Sequence, residues 1–138
     1  MPLKVRLKPN ERIIIAGAAI RNGSTPTDLI IENKVAVLRE KDILRETQAS
    51  SPARRIYFVV QLMYLDPEGL SSHHKMYWKL IADLLKAVPS AIQLIELLSG
   101  HILRERFYEA LKVARKLIGY ERSILTKTAT PALINKDG

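Results

Sequence analysis

The sequence predicts an α+β fold, with an N-terminal small antiparallel β-sheet or barrel followed by a bundle of about four α-helices. Three observations carry that reading. Over residues 1–48, short β-branched runs alternate with turn residues. Over residues 49–125, apolar side chains recur at helical spacing. The 138 residues are 47% hydrophobic, enough for a core without covalent staples. Residues 126–138 lack periodicity and read as a flexible C-terminal tail.

Leu3, Val5 and Leu7 alternate with Lys4, Arg6 and Lys8, the period-two pattern of a half-buried strand. Pro9-Asn10 turns the chain into Arg12-Ile13-Ile14-Ile15-Ala16, and Gly17 marks a bulge or bend before Ala18-Ala19-Ile20. Asn22-Gly23 opens a loop through Ser24-Thr25-Pro26. Leu29-Ile30-Ile31, the tight connection Asn33-Lys34 and Val35-Ala36-Val37-Leu38 complete the β-region. Lys41 to Gln48 is polar, with room for one helical turn.

Ser51 and Pro52 then supply an N-cap and a first helical residue. The helix from Ala53 to Leu65 is apolar almost all round, which predicts burial on every side, under the sheet or in a subunit interface. Asp66-Pro67-Glu68-Gly69 ends it, and Ser72 is the expected cap of a second helix reaching Val88. That helix buries Tyr77, Leu80, Ile81, Leu84 and Val88, with Lys75, Lys79 and Lys86 on another stripe. Pro89-Ser90 restarts the chain into a third helix with Ile92, Ile95, Leu98 and Ile102 on its core face. A fourth carries Phe107, Ala110, Leu111, Ala114, Leu117 and Ile118 at helical spacing, opposite Arg104, Arg115 and Arg122, flanked by Lys112 and Lys116.

Cysteine is absent, which removes disulfides, thiolate metal sites and cysteine nucleophiles and points to a reducing cytoplasm. No apolar run approaches a membrane span, and the N-terminus alternates charge with apolar side chains where a signal peptide needs an apolar core. No membrane role is expected. Lys plus Arg number 22 against 14 Asp plus Glu, a net charge of +8 that favours an anionic partner.

The residues suggest no enzyme. His73 and His74 are adjacent, about 100° apart on a helix, which does not let them share a metal. A solvated helix start accounts for them. The six glycines never cluster into a phosphate-cradling loop, and no serine stands in a nucleophile-elbow context. The expectation is no catalytic residue, no cofactor and no metal.

What remains is the basic surface. Lys4, Arg6 and Lys8 lie at alternate positions, about 7 Å apart, close to the spacing of phosphates along a single strand. Arg21, Lys34 and Arg39 come from the same region and extend the patch, and Arg54 and Arg55 open the first helix. The same pattern also suits the solvated face of a protected edge strand. The helical stripes read as solvated faces, and Phe58 and Trp78 as core or interface residues before base-stacking platforms.

Three blocks of sequence resemble one family. Met1-Pro2-Leu3-Lys4 through Pro9-Asn10-Glu11 is the first, and Asn33-Lys34 through Leu38-Arg39-Glu40-Lys41-Asp42-Ile43 is the second. The third and most distinctive runs Ser51-Pro52-Ala53-Arg54-Arg55-Ile56-Tyr57-Phe58-Val59-Val60-Gln61, followed by Met63-Tyr64-Leu65-Asp66-Pro67. Their order and spacing resemble the FlbT family of flagellar-biosynthesis repressors. The resemblance implies a cytoplasmic post-transcriptional regulator that associates with the 5′-untranslated region of flagellin mRNA and promotes its degradation or represses its translation. It also implies FlaF as a partner in the same circuit. A slighter likeness links the β-region to CsrA, a strand-swapped dimer, through Lys8 and Glu11 at a turn and Val37-Leu38-Arg39-Glu40 at a strand end. That likeness implies RNA contacts by Lys8 and Arg39 and a homo-oligomer, a dimer.

The RNA-binding residues expected are therefore Lys4, Arg6, Lys8, Arg39, Arg54 and Arg55. The alternative is a protein-interaction module whose apolar helices bind flagellin, FlaF or a second copy, acting on the mRNA indirectly.

Overall fold

The computed structural model describes residues 2–126 in full and the backbone of the last helix on to Asp137. It divides into two compact units, Met1–Ile43 and Leu44–Gly138.

The first unit holds five strands: β1 (Leu3–Leu7), β2 (Arg12–Ile15), β3 (Ala18–Arg21), β4 (Thr27–Ile31) and β5 (Val37–Arg39). They form two open antiparallel sheets, β1 with β4 and β2 flanked by β3 and β5. Val5 and Leu7 point inward from one sheet and Ile13 from the other, surrounded by Ile15, Leu29, Ile31 and Val37. The alternation along β1 thus does what its period requires, burying Val5 and Leu7 while Lys4 and Arg6 face out.

Gly17 belongs to a two-residue hairpin turn with Ala16. Their φ angles of 85° and 51° are both positive, as a type I′ turn needs, and Ile15 and Ala18 close the ladder on either side. Two 3₁₀ turns, Glu40–Asp42 and Glu46–Gln48, occupy the polar stretch where one helical turn was expected.

Gln61 fastens Leu44, the first residue of the second unit. This buried carboxamide accepts from the Leu44 N–H at 2.8 Å and donates to the Leu44 carbonyl at 2.9 Å, binding Leu44 to the first helix.

The second unit contains α1 (Pro52–Leu65), α2 (Leu70–Ala87), α3 (Ile92–Leu103) and α4 (Phe107–Asp137). The flexible tail expected over residues 126–138 lies, after Thr126, outside the fully described residues. Ser51 caps α1 through its hydroxyl, which accepts from the Arg54 N–H at 3.2 Å, with Pro52 at the first helical position. The apolar girth of α1 is explained inside the bundle, because α2 and α4 pack on different sides of it.

Helix α2 begins two residues before Ser72. A 3₁₀ turn at Pro67–Gly69 runs directly into it, and no side chain caps it. His73 is consequently not a solvated start residue: its Nε2 lies 3.0 Å from Asp66 Oδ2, and its side chain is 17% exposed. Tyr77, fully buried, meets Ser99 of α3 at 2.9 Å, and burial pushes its hydroxyl up to about 12 against that hydrogen bond. Ile95, Leu98 and Ile102 of α3 and Ala110, Leu111, Ala114 and Leu117 of α4 are buried, as their spacing predicts, while Ile92 is 39% exposed.

Candidate functional site

The candidate site is built on the outward face of β1. In the β1–β4 ladder Arg6 stands opposite Asp28 and Lys4 opposite Ile30. Asp28 takes both cations: Arg6 Nη1 donates to Oδ1 at 3.1 Å, and Lys4 Nζ lies 3.8 Å from Oδ2. One carboxylate therefore serves two cations whose side chains are 70% and 71% exposed, so a net positive charge is left in water.

Lys8 follows the strand, and its backbone is fastened on both sides. Its N–H donates to Glu11 Oε1 at 2.8 Å; its carbonyl accepts from the Glu11 N–H at 3.1 Å and from Asn22 Nδ2 at 2.8 Å. Asn22 also reaches the Thr25 carbonyl at 2.9 Å, which ties the loop after β3 to the β1–β2 turn. The turn itself needs Asn10 at φ 63°, a conformation asparagine tolerates better than most residues. Lys8 is thus presented from a fixed backbone.

Arg39 of β5 is bound to the β1–β2 turn. Its guanidinium forms a forked pair with Glu11, with Nη2 at 2.9 and 3.1 Å from the two oxygens and Nε at 3.3 Å, and Nη2 also donates to the Arg6 carbonyl at 2.6 Å. Only 36% of its side chain is exposed. The Glu11 carboxyl is held below the usual carboxylate range first by the Lys8 N–H, then by Arg39, against an opposing push from burial.

Arg54 and Arg55 belong to the second unit. Arg54 is half-buried in the first turn of α1, and Arg55 is exposed. Arg21 and Lys34 are exposed in the first unit. Arg12 escaped the sequence reading: it stands directly opposite Arg21 in the β2–β3 ladder, a like-charge pair that costs stability unless an anion lies near. Counting outward from the Ala16-Gly17 turn would have found it. Phe58 is half-buried, and Trp78, 38% exposed, packs its ring edge-on against Tyr77 at 4.8 Å. Among the described residues, no group of three or more His, Asp or Glu could hold a metal ion, and no helix is long and apolar enough to cross a membrane.

The family model described as flagellar protein FlbT matches residues 3–125 of the chain. The chain belongs to the FlbT family. A probable flagellum biosynthesis repressor protein FlbT 1 of Bradyrhizobium diazoefficiens is 44% identical over 125 residues, 90% of this chain and 85% of the relative. The probable FlbT repressor of Rhodopseudomonas palustris is 42% identical over 127 residues, 92% of this chain and all of the relative. The flagellum biosynthesis repressor protein FlbT of Caulobacter vibrioides is 40% identical over 123 residues, 88% of this chain and 87% of the relative. No solved structure matches the chain. A regulatory role in flagellar biogenesis follows from this FlbT kinship, whose relatives carry the name of flagellum biosynthesis repressors.

Proposed function

We propose that this FlbT protein is a cytoplasmic post-transcriptional regulator that binds the 5′-untranslated region of flagellin mRNA and represses its translation or promotes its degradation. The observation that carries the reading is the β1 face. Lys4 and Arg6 project from one sheet surface with a single carboxylate between them, and Lys8 follows on a backbone pinned by Glu11 and Asn22. Such contacts supply affinity through counterion release, and sequence choice comes from bases splayed out of a loop. Arg39 acts in this reading by holding the Lys8 turn in place. Arg54 and Arg55 contribute from the helical unit. The protein itself performs no cleavage, so loss of the message follows from blocked ribosomes or a recruited nuclease.

Binding of the purified protein to a flagellin leader RNA, with a scrambled RNA as control, tests this over a salt series. Micromolar or tighter binding that favours the leader, with a log–log slope of about −0.7 per phosphate contact, is the expected result. Equal, weak binding to both RNAs would reject it. In that event the second reading takes over: a protein-interaction module for flagellin, FlaF or a second copy in a dimer. It is favoured by the apolar side chains α3 leaves in water, Leu97 at 49% and Leu103 at 69% exposure.

A further inference from the structure

We propose that the helical unit carries a second contact surface for single-stranded RNA, laid along the seam between α1 and α4. The inference rests on the RNA-binding reading above and adds a site of its own to it.

Tyr108, Lys112, Arg115, Gly119 and Arg122 succeed one another at intervals of four and three, which puts them in one stripe along α4. All five are exposed and none is acidic. Two acids of the helix stand near the stripe: Glu109 is exposed three residues before Lys112 but forms no ion pair with it, and Glu121 is buried, its Oε2 accepting from the Ala53 N–H at 2.9 Å in the first turn of α1. Among the described residues, Lys112 and Arg122 have no carboxylate within ion-pair distance, whereas Lys4 and Arg6 share Asp28 and Arg39 is taken up by Glu11.

Helix α1 runs antiparallel beside the stripe, with Ala53 at Glu121, Tyr57 at Arg115 and Tyr64 at Tyr108. Arg115 is aimed by Tyr57: its Nη2 donates to the hydroxyl at 3.1 Å, and its guanidinium carbon stands 5.7 Å from the ring centroid. Lys112 is steadied in the same way, its Nζ 5.0 Å from the Tyr108 ring centroid. Lys112 to Arg122 spans about 15 Å of helix axis, room for about two or three phosphates.

Two features favour a nucleic acid over an acidic protein face. At the Arg122 end opens a cavity of about 280 Å³, where Arg54 and Arg122 stand with Ile118 and Leu125 around it and Ser51 and Glu121 at its wall. That is the small end of the range for ligand pockets, suited to one ring held between apolar side chains and a guanidinium plane. At Gly119 nothing lies within 4 Å of where a Cβ would stand, so the chain's own packing does not call for this helix-weakening residue, and a strand can approach the backbone there. Between Lys112 and Arg122 the stripe itself carries no large apolar side chain, whereas α3 exposes Ile92, Leu97 and Leu103.

The test compares the full chain with Lys112→Gln/Arg122→Gln on a fluorescent flagellin leader RNA over a salt series, after thermal melts establish that both are folded. The double variant is expected to bind about tenfold more weakly, with a salt slope shallower by about 1.4. Unmodified protein cross-linked to a 4-thiouridine leader should yield the peptide containing Tyr108, a readout that needs no variant. A variant that binds as the parent does, with that peptide unlabelled, overturns this surface while leaving the β1 reading intact. A parent that does not distinguish leader from scrambled RNA removes both. A variant that keeps its RNA affinity but loses binding to poly-glutamate makes the stripe a protein-docking face and overturns the proposal.

Discussion

Arg39 and Glu11 form a forked ion pair, 28 residues apart in sequence, whose guanidinium also holds the Arg6 carbonyl at 2.6 Å. One side chain thereby ties β5 to the last residues of β1 and to the turn that presents Lys8. Planar, two-point geometry is what an arginine provides and a lysine does not. Arg39→Ala should destabilise the protein by about 2–3 kcal/mol, and Arg39→Lys should recover less than half of that. Thermal melts read both values. An unchanged melting temperature in Arg39→Ala would mean that the pair orders the turn without stabilising it.

The same pair sets a pH dependence. Glu11 has its carboxyl lowered from the ordinary 4.5, first by the Lys8 N–H and then by Arg39. A depressed folded-state pKa means the stabilisation is present above the unfolded value and is lost as pH falls through the folded one. Melting temperature should therefore drop as pH is lowered from about 5 toward 3, and Glu11→Gln should lower it at neutral pH while flattening that acid limb. Parallel acid limbs in the two proteins would assign the loss to other carboxylates.

The parts of this fold that a reader of the sequence could see are those written in neighbouring residues. The alternation Leu3-Lys4-Val5-Arg6-Leu7 fixes one buried face, and Ser51-Pro52 begins α1 where it should. What could not be seen depends on pairing across the chain. That Asp28 stands between Lys4 and Arg6, or that Arg39 spends its guanidinium on Glu11, follows from a register between strands more than 20 residues apart. The start of α2 was misplaced for a related reason: Ser72 has the chemistry of a cap, but the preceding 3₁₀ turn already had the chain coiling by Leu70. The α4 stripe was visible as spacing, but the inward turn of Glu121 to the Ala53 N–H, which takes one of the helix's acids off its surface, was not.

The β2–β3 hairpin stores strain at a residue that can be improved. Ala16 holds φ 51° beside Gly17 at 85°. For an L-residue with a Cβ this conformation costs about 1–2 kcal/mol, less for asparagine, and Asn-Gly is the preferred type I′ pair. Ala16→Asn should raise stability by about 0.5–1 kcal/mol, seen as a higher melting temperature. The Ala16 N–H already bonds the Ala36 carbonyl at 2.8 Å, and the substitution preserves that backbone contact. A lower melting temperature would show that the turn does not keep its type I′ form in solution.

Asp28 offers the most direct way to separate an RNA-binding face from a merely solvated one. It neutralises part of the charge on Lys4 and Arg6, yet its own side chain is 35% exposed and both cations are mostly in water, so its contribution to stability is small. Asp28→Asn removes the carboxylate and leaves the β1–β4 ladder intact. If phosphates bind across this face, the variant loses a like-charge repulsion toward RNA and frees two cations from a competitor. Affinity for the flagellin leader should rise about three- to tenfold at low salt, with a steeper salt slope and a melting temperature close to that of the parent. A solvated face predicts no change in either binding quantity. Because the substitution adds affinity where a damaged fold would remove it, a gain cannot be confused with unfolding.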